Sequence, residues 1–200
     1  MSWESLLAFN VVLMAAIASP GAALLFAIRT SVSSGRAAGI ATGFGLASMA
    51  ATWTLAALLG LESVFALFPW AYIVLKIGGA VYLMYLAVMT WRSANSPLGE
   101  AARPRGRAFL DGVLVNLGNP KSVLFAAAVI VVVFPQGLAA ADIALIVANH
   151  WILEVIFYTL FATALSSARA RTGYLRAKPV LDRIAATLLG ALGLRLLLER

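Results

Sequence analysis

The sequence predicts an all-α membrane protein, with six transmembrane helices arranged as two inverted three-helix repeats. Three observations carry this expectation. The 200 residues are 62% hydrophobic and only 12% charged. Soluble domains average about 45–50% and about 25%, so this chain could not cover a water-facing surface, and the bilayer is its natural solvent. Six apolar segments follow one another, each near or above the roughly 20 residues that cross a 30 Å hydrocarbon core. The first and fourth segments also carry prolines at positions 20 and 120, half the chain apart.

Taken in order, the segments are Leu6–Ile28, Ala37–Leu61, Trp70–Trp91, Phe109–Phe134, Asp142–Leu165 and Val180–Leu198. The first lacks the basic leader of a signal peptide, since no Lys or Arg precedes Arg29, and it is too long for a cleaved core. It reads as a retained span. The second carries Gly39, Gly43 and Gly45, whose spacing permits close helix packing, and Gly78, Gly79, Gly190 and Gly193 suggest the same in the third and sixth. Between the third and fourth lies the longest polar stretch, SANSPLGEAARPRGR, rich in turn formers and charge and expected to be a solvated loop. The chain thus reads as one membrane domain over 1–200, with repeat 1 over about 1–91, a cytoplasmic loop over about 92–108 and repeat 2 over about 109–200.

Charge orients the spans. The first, third and fifth connections hold Arg29 and Arg36, then Arg92, Arg103, Arg105 and Arg107, then Arg169, Arg171, Arg176, Lys178 and Arg183. The other side has Lys76, Arg195 and Arg200. Lys and Arg accumulate in cytoplasmic loops, so both termini are expected outside the cytoplasm. The net charge of +7 therefore reports topology and not nucleic-acid binding.

The repeat is visible when residues 9–27 are laid over 109–127, where Phe9, Pro20, Leu24 and Ala27 meet Phe109, Pro120, Leu124 and Ala127. Three spans per copy is odd, so the second copy enters the membrane upside down, as in many secondary transporters. Pro20 cannot donate to the carbonyl of Ala16, nor Pro120 to that of Asn116, so both helices are expected to break. Counting the helical rise, both breaks fall near mid-membrane, where half-helix ends meet substrates and ions. Ser19, Gly21, Asn119 and Lys121 flank them.

Lys121 is the sharpest polar signal, because a charge deep in the bilayer is costly and faces a cavity or a partner. The competing reading is a lysine snorkelling to an interface. In the fifth span His150, Glu154 and Tyr158 share a helical face at four-residue spacing. A carboxylate beside a histidine suits a proton or an ammonium group, although the two side chains could simply satisfy each other.

Several classes fall away. There is no cysteine and one histidine, so neither a disulfide frame nor a thiolate or multi-histidine metal site is available, and no cofactor is expected. Neither a Walker A loop nor a Gly-x-Ser-x-Gly elbow occurs. An enzyme would need a reactive cluster near a surface, and an accessory or structural subunit would not need Lys121. Both stand as alternatives to transport, and a homo-oligomer is compatible with any of them.

The sequence resembles the LysE/RhtB superfamily of amino-acid exporters over nearly its whole length. The resemblance lies in SPGAALLFAIRTSVSSGRAAGIATGFGLA, in GLESVFALFPWAYIVLKIGGAVYLMYLAVMTWR and, most specifically, in FLDGVLVNLGNPKSVLF with its Asn119-Pro120-Lys121 element. Two departures stand out. Pro20-Gly21-Ala22 replaces the family's Pro-Gly-Pro, and Ser48-Met49 stands where Gly-Asp is common. The resemblance implies ion-gradient-driven export of amino acids or similar small metabolites across a bacterial inner membrane. Ser19, Pro20, Gly21, Asn116, Asn119, Pro120 and Lys121 would form the substrate site. There Lys121 and the backbone N–H groups near Gly21 and Ser122 attract a carboxylate, which Ser19, Asn116 and Asn119 hydrogen-bond. Glu154 with His150 would take the ammonium group or the coupling proton.

Overall fold

The computed structural model describes residues 1–19, 21–96, 107–135, 137–165 and 167–198. Pro20, Arg103, Arg105 and Arg200 lie outside the described residues, as do the side chains of Lys76, Arg169 and Arg171. Among the described residues there are seven helices and no strand: α1 (Trp3–Ala18), α2 (Ala22–Leu67), α3 (Pro69–Ser93), α4 (Ala108–Leu117), α5 (Pro120–Val133), α6 (Ala140–Leu165) and α7 (Ala168–Leu198).

Local chemistry sets several ends. The Ser2 hydroxyl accepts from the Ser5 amide to start α1, and Pro69 occupies the first turn of α3, where its missing N–H costs nothing. α2 is two helices in series. They meet at Gly35, whose φ of +86° lies in the left-handed region where only glycine is free of strain. The first expected span therefore divides between α1 and residues 22–34, and the second lies within 36–67. The fourth is also divided, with α4 and α5 bent by 62°. The sixth starts earlier than expected. Arg176, Lys178 and Arg183 lie inside α7 and not in a loop, since Arg and Lys are good helix formers.

Two helical stretches, Ala22–Gly60 and Ala140–Leu165, are long and apolar enough to cross a membrane, and the α4–α5 pair makes a third if it is one broken span. The burial pattern is that of a membrane protein. Trp3, Leu7, Ile73, Val81, Leu160 and Leu198 face outward, whereas Asp111, Asn116, His150, Glu154, Lys178 and Asp182 are buried. Lipid reverses the usual preference, because polar groups find partners only inside.

α2 packs against α4 and α6, α3 packs against α7, and α5 lies against both α3 and α2. Phe9, Leu13, Leu83, Val129, Ile146 and Leu189 join α1, α3, α5, α6 and α7 in one core. The glycines of α2 let helices touch: a Cβ at Gly43 would overlap Tyr158, and one at Gly45 would overlap the backbone of Phe109. Gly112 answers from α4, against the Thr42 carbonyl. Gly193 packs on α3 as expected, but Gly78 has open space around it and serves no helix contact.

Three contacts fix which ends share a face. The N-terminal ammonium pairs with Asp142 at 3.2 Å, so the starts of α1 and α6 lie together. Glu4 and Arg195 line one groove, which brings the end of α7 beside the start of α1. Lys178 donates to the carbonyls of Ser93 and Ala94, which brings the end of α3 beside the start of α7.

Candidate functional site

The site forms where the two helix breaks meet. α1 stops at Ala18, and Ser19 is extended (φ −78°, ψ 126°). A helix end leaves carbonyls without intrahelical donors. The ammonium of Lys121, arriving from α5, supplies them, donating to the carbonyls of Ala16 at 3.0 Å and Ser19 at 3.3 Å. Ala16 is the carbonyl that Pro20 cannot serve. A cation at a helix C-terminus also meets the negative end of its dipole.

The second break is handled reciprocally. Asn119 is extended between α4 and α5, and its side-chain oxygen caps α5 by accepting from the Lys121 amide at 3.1 Å. Pro120 then sits in the first turn, where no donor is needed. The Asn116 carbonyl, which Pro120 cannot serve, accepts from the Asn119 amide at 3.1 Å and from the Trp53 indole of α2 at 3.4 Å.

Between the breaks lies a cavity of about 50 Å³, lined by residues including Ser19, Gly21, Asn116, Asn119, Lys121, Ser122, His150, Glu154 and Tyr158. That is room for several waters. The cavity brings together every site residue expected from the sequence except two. Pro20 lies outside the described residues, and Pro120 is exposed and does not line the cavity.

The far wall comes from α6. His150 donates or accepts on both ring nitrogens, with Nδ1 at 2.8 Å from the Thr54 hydroxyl and Nε2 at 3.1 Å from Glu154 Oε1. The Phe9 ring packs edge-on against the imidazole. Glu154 is 4% exposed, and its second oxygen, Oε2, is buried without a protein partner. No ion pair joins Glu154 to Lys121 among the described residues.

Several expected roles change. Asn119 is spent on capping, and its amide nitrogen donates to the Ser122 hydroxyl at 3.1 Å. The Ser122 amide donates to the Asn119 carbonyl, so it is not free for a substrate. Asn116 donates one amide N–H to the Leu46 carbonyl at 2.6 Å, and its Oδ1 is buried without a protein partner. Lys121 uses two of its three N–H donors on α1, leaving one for the cavity.

Thr54 and Trp53, which position His150 and Asn116, were not singled out from the sequence. Polar groups within the apolar run ATWTLAALL are the signal that marks them. Among the described residues no group of three or more His, Cys, Asp or Glu side chains is placed to hold a metal ion.

A family model described as LysE type translocator matches residues 14–200. The chain is 28% identical over 193 residues to the threonine efflux protein of Salmonella typhi, covering 92% of this chain and 93% of that one. It is 28% identical over 193 residues to the threonine efflux protein of Escherichia coli (strain K12), with the same coverage. Over 149 residues it is 30% identical to the homoserine/homoserine lactone efflux protein of Salmonella typhimurium, covering 72% of each. No solved structure matches the chain.

Proposed function

Because the chain belongs to the LysE type translocator family, we propose that it exports amino acids, with the cavity between the two helix breaks as the substrate site. One observation carries the site assignment. Lys121 and Glu154 line the same cavity, are not paired with each other, and each keeps one free valence. Opposite charges held apart in a low-dielectric interior are costly. A zwitterion satisfies both, its carboxylate on the remaining Lys121 N–H and its ammonium on Glu154 Oε2. Threonine and homoserine, the substrates named for the relatives, are zwitterions, and the cavity of about 50 Å³ must widen during the transport cycle to admit them.

The working arrangement follows from the same features. The protein is a multi-pass protein of a bacterial inner membrane, with six spans in two inverted repeats and both termini outside the cytoplasm. The pairing of helix ends supports this, since α1 starts beside the start of α6 and α3 ends beside the start of α7. The divided spans give each half a rigid piece that can rock about the site, which is how alternating access operates in transporters with broken helices. The His150–Glu154 pair, oriented by Thr54, takes the coupling proton when the ammonium leaves.

Everted membrane vesicles carrying this protein test the reading. They should accumulate threonine or homoserine without ATP, severalfold above control vesicles, and an uncoupler should collapse the accumulation. Purified protein in liposomes that moves no member of an amino-acid panel would contradict export. It would return the chain to the enzyme or accessory-subunit alternatives.

A further inference from the structure

We propose that the adjoining ends of α3 and α7 hold an anionic phospholipid, its phosphate on Arg183 beside Trp91, with Arg92 and Arg176 flanking it. The inference uses the proposed orientation, which puts this end in the cytoplasmic leaflet, and goes beyond export, since it concerns the face turned to lipid. Lys178 of α7 reaches the carbonyls of Ser93 and Ala94 at the end of α3, so the two helices meet at this level. A little further along α7 the Arg183 guanidinium lies over the Trp91 ring, 5.8 Å from its centroid. Trp91, Val180 and Ile184 are exposed, as lipid-facing side chains are, and Arg183 is exposed with them. Arg92 in the last turn of α3 and Arg176 of α7 are exposed too.

Among the described residues nothing neutralises this group. Lys178 faces inward and spends all three of its N–H donors on Ser93, Ala94 and Asp182. Arg92, Arg176 and Arg183 join no ion pair among the described residues. The described acids lie elsewhere: Glu4 and Asp142 sit in the first turns of α1 and α6, and Asp111, Glu154 and Asp182 are buried. A guanidinium offers N–H donors in a flat fork that a phosphate meets two at a time, whereas the face of Trp91 answers only its charge. Arg183 rises from an apolar flank, so its stem carries the head to the headgroup layer. Trp91 suits the same depth, because an indole favours the interface. The acceptor at hand there is a lipid phosphate. Three arginines without acids repel the ammonium of a zwitterionic head, so the pocket selects an anionic one.

Phosphatidylglycerol and phosphatidylcholine with the same acyl chains are the probe pair. Purified full-length protein in detergent is titrated with each, and bound lipid is counted by native mass spectrometry. Phosphatidylglycerol should bind at least about fivefold more tightly than phosphatidylcholine, and Arg183→Gln should remove about fivefold of its affinity. Arg195→Gln, in the last turn of α7, should bind as the parent does. Equal affinity for the two lipids overturns the inference. So does parental binding by Arg183→Gln, which would put the lipid elsewhere. Release of the lipid by an equal concentration of inorganic phosphate overturns it in favour of a soluble anion. The measurement involves no transport, so failure of export and failure of this inference are told apart. Should Arg183→Gln fail to fold, the double variant Arg92→Gln with Arg176→Gln repeats the titration. If that variant binds as the parent does, or also fails to fold, the proposal falls.

Discussion

On the proposed reading, Lys121 serves structure and function with one side chain. Its ammonium is the donor that the end of α1 lacks, and its stem lies against Gly21. Lys121→Met removes both donors from the Ala16 and Ser19 carbonyls and the charge from the cavity. Interhelical polar contacts in membrane proteins average about 0.6 kcal/mol and reach about 1.7 kcal/mol. The variant should therefore lose about 1–2 kcal/mol of stability, and transport should fall more than about tenfold through the lost carboxylate contact. Lys121→Arg should recover part of the stability and little of the transport, because a planar guanidinium does not replace a compact ammonium. Thermal unfolding in detergent, alongside uptake, separates the two effects. Parental transport with lowered stability would make Lys121 a cap and nothing more.

At the scale of elements, the two breaks are braced across the molecule. Lys121 of α5 serves a carbonyl of α1, and Trp53 of α2 serves a carbonyl of α4. The second break does not depend on its proline alone: Asn119 is extended and caps α5 in its own right. The joint between α2 and α4 is closer still. A Cβ at Gly45 would overlap the Phe109 carbonyl and one at Gly112 the Thr42 carbonyl, both rigid backbone atoms. Gly45→Ala and Gly112→Ala should each cost about 1–3 kcal/mol, since the helices must part and overpacked cores pay on that scale. The Asn116–Leu46 bond would be strained with them. Gly21→Ala is the control. Its Cβ would meet Lys121 Cδ at 3.4 Å, an ordinary contact with a flexible stem, so its stability should stay within about 0.5 kcal/mol of the parent. Equal melting temperatures for all four proteins would refute the close joint.

For the whole molecule, the exterior is apolar and the charges are inside or at the ends. Buried ion pairs such as Lys178–Asp182, 3.0 Å apart, persist because lipid offers no alternative partner. Met1 pairs with the start of α6 and Lys178 with the end of α3, which supports the proposed six-span orientation. A cytoplasm-active reporter fused after Ser96 should be active, and one fused after the last residue, Arg200, should be silent while a periplasm-active reporter is active there. A cytoplasmic C-terminus would overturn the six-span orientation.

The sequence by itself determined the solvent, the helical class and which residues line the candidate cavity's neighbourhood. Apolar runs in so uncharged a chain admit no other medium, and a proline without an N–H marks a helix interruption wherever it falls within a span. It also put Lys121, Asn119, His150 and Glu154 under suspicion, because charge and amide groups in hydrocarbon demand a reason. What it could not decide was the use of each atom. Whether an asparagine offers its oxygen or its nitrogen depends on which neighbour claims the other. For Asn116 that neighbour is Leu46, 70 positions away in the chain. Lys121 likewise turns to the end of α1, and Thr54 to His150, through contacts between segments about 100 residues apart. Periodicity and composition are local, whereas hydrogen-bond partners in a membrane interior are chosen by packing. The charge and kind of each group were therefore legible in advance, and its free valence only after the helices had met.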